Sequence, residues 1–308
     1  MGQKDIAEKI LEAYNDVFSD IVNVLLFNGD QILKENELED QAPRSAYKAD
    51  GKYREIERDV AKRWKNKNIR LACIGLENQT EPDADMPLRI MGYDGAEYRA
   101  QLNNENQRER YPVITLVLYY GYDKHWDKPL SLLERLDVPE KFRPYVNDYK
   151  VNLFEIAYLS REQAKLFKSD FRVVADYFVQ MQTTGTYIGS PEELVHVQET
   201  LSLMSIMTGD HRFEAVLSDD DGSKGVVIKT MCDVLDRIEE KGRMEGRMEG
   251  RMEGRMEGRM EGRMEGRMEE KKEIAINLHS MNMKDTDIAN VVKVSLDVVR
   301  KWLGIAPA

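Results

Sequence analysis

Two runs along the chain are apolar at nearly every position: Ile69-Arg70-Leu71-Ala72-Cys73-Ile74-Gly75-Leu76, and Val113-Ile114-Thr115-Leu116-Val117-Leu118-Tyr119-Tyr120, closed by Gly121. Continuous runs rich in β-branched residues predict strands buried on both faces, the pattern of an α/β sheet. A helix is predicted over residues 5–27, where Ile6, Ile10, Leu11, Tyr14, Phe18, Ile21, Val22 and Leu25 recur at helical spacings. Residues 28–51 are polar and mixed, and residues 53–65 fit helix and strand equally. A turn-rich segment over 80–87 leads into a helix opening near Leu88. A further strand is expected within 152–158, and helices over most of 161–217.

From Arg243 the pattern changes to a tetrapeptide array. Arg-Met-Glu-Gly occurs six times over 243–266 and is followed by Arg267-Met268-Glu269-Glu270. Each Gly costs a helix about 1 kcal/mol against Ala. The period of four also sets Arg against Arg and Glu against Glu at i,i+4, which repels. Two states are consistent with this: a solvated spacer, or a helical stalk held by self-association along its Met and Gly stripes. Ile228, Met231, Leu235 and Ile238 form a helical lead-in, which favours the stalk and a homo-oligomer assembled through residues 228–270. Beyond the array, residues 273–281, 286–292 and 296–303 read as three short helices, with Ser295 as an N-cap. Short helices joined by a tight turn fit a helix-turn-helix and equally a small helical dimerisation knob.

The net charge of −11 argues against a general nucleic-acid coat, since phosphate contacts come from Lys and Arg. Residues 243–270 sum to −1 and residues 271–308 to +2, so the acidity, −12, lies on residues 1–242. No run is apolar and long enough to span a bilayer, so no membrane partner is expected. Two cysteines, Cys73 and Cys232, provide no disulfide framework and fit a reducing cytoplasm. Four scattered histidines offer no metal-ligand cluster.

The first apolar run ends in Glu77-Asn78-Gln79, with Asp59 eighteen positions upstream. A carboxylate on one segment and Glu-x-Gln on a strand are what a metal-dependent phosphodiesterase places around a divalent ion. Mg²⁺ takes one or two carboxylates and keeps its other positions for water and substrate. Glu77 and Gln79 share a strand face, and Asn78 points away with its backbone carbonyl still free to ligate. The plainer alternative is a strand with a polar end. The Asp59–Glu77 separation is long for a hairpin, which keeps Asp50 as a substitute. His125, Arg89 and Cys73 read as a structural loop histidine, a helix-surface arginine and a core residue.

Asp59, Glu77-Asn78-Gln79, Met86-Pro87-Leu88-Arg89 and Tyr111-Pro112-Val113 through Gly121, with Trp126, together resemble the Rpn family of recombination-promoting nucleases. That family is a branch of the PD-(D/E)xK nuclease superfamily in which Gln stands for the motif's Lys. The resemblance spans roughly residues 5–215. It implies a restriction-endonuclease-like α/β core, a central mixed sheet flanked by helices, followed here by a helical C-terminal part. It further implies Mg²⁺-dependent cleavage of DNA, with Asp59 and Glu77 as metal ligands, Asn78 contributing its carbonyl, and Gln79 positioning water or phosphate. Asp16, in an acidic-aromatic element of the first helix, is implied as a fourth site residue. The expected organisation is a nuclease-like domain with a helical extension over 1–220, a helix over 221–242, the array over 243–270 and a helix-turn-helix-like domain over 271–308. A catalytically inactive, nuclease-derived protein that binds DNA or a partner is the alternative.

Overall fold

A computed structural model describes residues 11–41, 44–49, 52–57, 59–66, 69–103, 110–218 and 228–305, with side chains described outside 42–58 and 66–71. The chain forms two compact units, Met1–Ile238 and Glu239–Ala308.

The first unit is built on a five-stranded mixed sheet. Its strands are β1 (Leu38–Asp40), β4 (Val60–Asn66), β5 (Ile69–Gln79), β6 (Val113–Tyr119) and β7 (Asn152–Glu155), lying side by side in that order. The pairs β1–β4 and β4–β5 are antiparallel, whereas β5–β6 and β6–β7 are parallel. A separate hairpin pairs β2 (Arg44–Ala49) with β3 (Lys52–Glu57). Within the ambiguous stretch 53–65, the described residues up to Glu57 and from Val60 are strand. The two apolar runs are β5 and β6, adjacent at the centre, where both faces are covered and alternation of polarity has no use.

Each face of these strands has its own core. Ile74, Leu76, Leu116, Leu118 and Tyr120 pack with α1 (Asn15–Phe27) and α5 (Phe171–Thr184), whose contributions include Phe18, Ile21, Phe171 and Phe178. On the other face, Val117 packs with Met86 and Ile90 of α2 (Met86–Asn103), the helix that crosses over between parallel β5 and β6. α2 also buries Asp94, Glu97 and Gln101. The hydroxyl of Thr115 donates to Asp94 at 2.6 Å, that of Tyr111 donates to Glu97 at 3.0 Å, and Gln101 brackets the Tyr111 backbone. These hydrogen bonds are why α2 carries so little amphipathic pattern.

The helix expected over 5–27 is interrupted. Residues 11–12 are helical, Tyr14 is extended, and α1 starts at Asn15; residues 1–10 lie outside the described residues. Tyr14 leaves the helix with its ring stacked on His196 at 3.8 Å and its hydroxyl donating to Glu199 at 3.0 Å. Beside it, the fully buried Lys62 of β4 donates from Nζ to the Ala13 carbonyl at 2.6 Å and to Asp40 at 2.5 Å. The short helices α3 (Leu132–Arg135) and α4 (Arg161–Ala164), then α6 (Val197–Thr208) and α7 (Arg212–Ser218), complete the helical layers.

α8 (Met231–Ser280) contains the whole array in helical form. Its first turns belong to the first unit, with Met231 and Val234 in the main core. In the second unit, Ala275 packs with Ile288, Ala289 and Val292 of α9 (Asp285–Val292) and Val299 of α10 (Leu296–Leu303). Lys293 ends α9 in the left-handed region at φ 53°, and Ser295 stands at the N-cap of α10 without a side-chain hydrogen bond. Among the described residues, no helix is long and apolar enough to cross a membrane.

Candidate functional site

The candidate residues gather at the C-terminal end of β5, beside the end of its parallel neighbour β6. In open α/β sheets that edge is where the strand direction leaves room for a ligand. The antiparallel register of β4 and β5 pairs Val60 with Leu76. Asp59 immediately precedes β4, and the backbone N–H of Asn78 donates to Asp59 Oδ2 at 2.7 Å. The separation that looked long for a hairpin is two full strand arms with a bulge at Trp64/Lys65. Asp50 lies outside the described residues.

Alternation along β5 then divides the site between the two faces of the sheet. Glu77 is buried toward α2, where the Arg89 guanidinium donates to its Oε1 and the Tyr93 hydroxyl approaches the same oxygen at 3.4 Å. Arg89 also donates from Nη1 to Asp83 at 3.0 Å. Burial works against the Arg89 charge, but the carboxylate of Glu77 and its other partners more than offset this, and its pKa lies above the ordinary arginine value. Burial, with Glu77 next, pushes the Tyr93 hydroxyl up to about 12. Gln79, the last residue of β5, shares this face; its backbone carbonyl accepts from Tyr120 N at 2.9 Å.

On the opposite face the structure adds a residue that the sequence reading missed. Glu12 is fully buried, accepting from Asn78 Nδ2 at 2.8 Å and from the Tyr120 hydroxyl at 3.1 Å. Burial raises its pKa from 4.5 to about 8, with the Asp59 charge adding to the rise and the two hydrogen bonds opposing it. Asp16 is not brought to this group. Its carboxylate lies 3.0 Å from His196 Nε2 and lines a separate cleft with Ser19, Asp20 and Lys168. His125 stacks on Tyr158 at 3.7 Å and contacts Glu155 at 3.2 Å. Cys73 is buried in the strand.

Among the described residues, no group of three or more His, Cys, Asp or Glu has the arrangement to hold a metal ion. A metal centre at the end of β5 would therefore have two carboxylates to draw on, Asp59 and Glu77, with the amide and backbone oxygens of Asn78 and Gln79 in the same strand end. Hard oxygen donors with few carboxylates suit Mg²⁺, which retains several waters. The donor chemistry fits, with Arg89 occupying part of Glu77.

Residues 65–189 match the family described as "Putative transposase, YhgA-like". That segment is similar to this family. The match covers Glu77-Asn78-Gln79, Arg89 and both central strands; Glu12, Asp16 and Asp59 precede it. No curated protein and no solved structure matches the chain.

Proposed function

We propose that this protein, similar over residues 65–189 to YhgA-like putative transposases, is a Mg²⁺-dependent DNA endonuclease of the recombination-promoting type. The observation that supports this reading is the hydrogen bond from Asn78 N to Asp59 Oδ2 at 2.7 Å, which ties Asp59, just before β4, to the residue that follows Glu77 at the open end of the sheet. When bound, the ion supplies an activated water and neutralises charge on the departing oxygen. Asp59 and Glu77 hold it, assisted by the Asn78 carbonyl. Gln79, on the Glu77 face, orients the water or a phosphate oxygen with a neutral amide in place of the motif's lysine. The buried Glu12 carboxyl fixes the Asn78 side chain and so the strand end from behind. DNA is the partner, with α9 and α10 as a second contact of helix-turn-helix form, and the array of α8 joins copies of the chain into a homo-oligomer. A cytoplasmic location fits this role.

One observation favours a second reading, a nuclease-derived DNA- or partner-binding protein without activity. Glu77 already has a cationic partner in Arg89, and the lysine of the motif is absent. Plasmid nicking in Mg²⁺ separates the two. The endonuclease reading requires cleavage by the wild type and its loss in both Asp59→Ala and Glu77→Ala. Identical traces from all three proteins refute it.

A further inference from the structure

Arg89 is placed unlike a helix-surface arginine. It sits in the first turn of α2, just after the bend in which Asp83 Oδ1 accepts from Asp85 N at 2.8 Å and the Asp85 carbonyl accepts from Arg89 N at 3.0 Å. Asp83 and Tyr93 steer the guanidinium from two sides, at 3.0 and 3.3 Å. The Glu77 side chain is 2% exposed, whereas that of Arg89 is 37% exposed. The same guanidinium thus caps a buried carboxylate and reaches solvent at the open end of β5.

A buried carboxylate with no neutralising partner is costly, and Arg89 meets that need while no ion is bound. A divalent cation at Glu77 reverses the situation, because two cations then compete for one carboxylate. Arginine presents five donors in a rigid fork suited to phosphate as well as carboxylate, so the group released from Glu77 has a second anion to take at the place where a nucleic-acid backbone arrives.

We propose that Arg89 is an exchangeable counter-ion: it neutralises Glu77 in the metal-free protein, cedes that carboxylate to a divalent cation, and then binds a phosphate of the DNA backbone while Asp83 remains its anchor. This rests on the reading of Glu77 as a metal ligand. Its thermodynamic signature is coupling. Metal releases Arg89 for DNA, so DNA must tighten metal binding by the same factor, and both effects vanish without the guanidinium.

The test uses the full chain with Ca²⁺ as the probe ion, titrated calorimetrically, and a fluorescent duplex oligonucleotide followed by anisotropy. Arg89→Met is expected to bind Ca²⁺ about 5-fold or more tightly than wild type, since its competitor is gone. It is expected to bind the duplex about 5-fold or more weakly in Ca²⁺, yet near wild-type affinity in chelator, where Arg89 is engaged by Glu77 in any case. Arg89→Lys keeps the charge but not the fork. It is expected to restore Ca²⁺ affinity close to wild type and DNA affinity only in part, and it serves if the Met variant does not fold. Equal loss of DNA binding with and without Ca²⁺, or unchanged Ca²⁺ affinity in Arg89→Met, overturns the exchange while leaving the metal centre standing. Absence of Ca²⁺ and Mg²⁺ binding in both wild type and variant overturns the exchange and the metal centre together, leaving Arg89 a permanent ion pair.

Discussion

Asn78 is the hinge of the site at the scale of single residues. Its backbone N–H serves Asp59 on one side and its side-chain amide serves the buried Glu12 on the other. Replacing it with Ala leaves Glu12 short of a donor, a loss of about 1–3 kcal/mol for a buried polar group. Asn78→Asp is expected to be worse than Asn78→Ala, since it sets a third acid against Glu12 and Asp59 where the amide donated. Urea denaturation ranks the variants, and an Asp variant as stable as the Ala variant contradicts the arrangement. Glu77 and Gln79 were legible in the sequence because they close a strand whose apolar run announces it. Asp59 was legible as a residue type but not as a neighbour, since pairing depends on a bulge that no local pattern reveals. Glu12 was not legible at all. Nothing nearby distinguishes it from Glu8, Asp16 or Asp20, and its role follows from a helix break created by partners as distant as His196 and Glu199.

At the scale of elements, the carboxylate of Glu12 stays at the sheet because Lys62 holds the break in place from β4. Lys62→Met removes a charge-assisted hydrogen bond to Ala13 but also relieves the burial of an ammonium. The net loss of stability is expected to stay within about 2 kcal/mol. The larger effect is local, a faster exchange of the Tyr14 amide, which donates to the Leu11 carbonyl at 3.2 Å. Hydrogen exchange unchanged at that amide rules out the tether. The central strands β5 and β6 were legible as continuous apolar runs, but β3 and β4 were not, because charged residues interrupt both sequences and leave no unbroken apolar run. The array shows the opposite case, a helix formed against its own i,i+4 charge pattern. A Cβ added at Gly246, Gly250, Gly254, Gly258, Gly262 or Gly266 meets nothing within 4 Å in the single chain. Gly→Ala at all six is therefore expected to stabilise the helix by about 0.5–1 kcal/mol per site, read as a higher thermal midpoint in circular dichroism. A lower midpoint instead reveals a second copy packed against the glycine stripe.

At the scale of the whole molecule, the boundary between the two units falls inside a helix rather than in a loop, and the start of α8 belongs to the sheet unit. Leu194 N donates to the Lys229 carbonyl at 2.8 Å, Cys232 N to the Ser190 carbonyl at 3.3 Å, and the Cβ of any residue replacing Gly189 would stand 2.9 Å from the Met231 backbone. Met231 and Val234 are fully buried. A chain ending at Lys241 retains all of these contacts and is expected to unfold in urea with the midpoint of the first unit in the full protein. A chain ending at Thr230 loses both buried side chains. Emptying the space of one Met costs about 2–5 kcal/mol by itself, a large fraction of the stability of a typical domain. The shorter chain is therefore expected to unfold at much lower urea, and equal midpoints for the two truncations place the boundary elsewhere. The chain ending at Lys241 also decides what the array does. If sedimentation gives it the same oligomeric state as the full protein, the repeats have no part in assembly, and the helical array acts as a spacer between the sheet unit and the α9–α10 pair. If the full protein alone associates, the like-charged rows of Arg and Glu on one helix find their opposite charges on another copy.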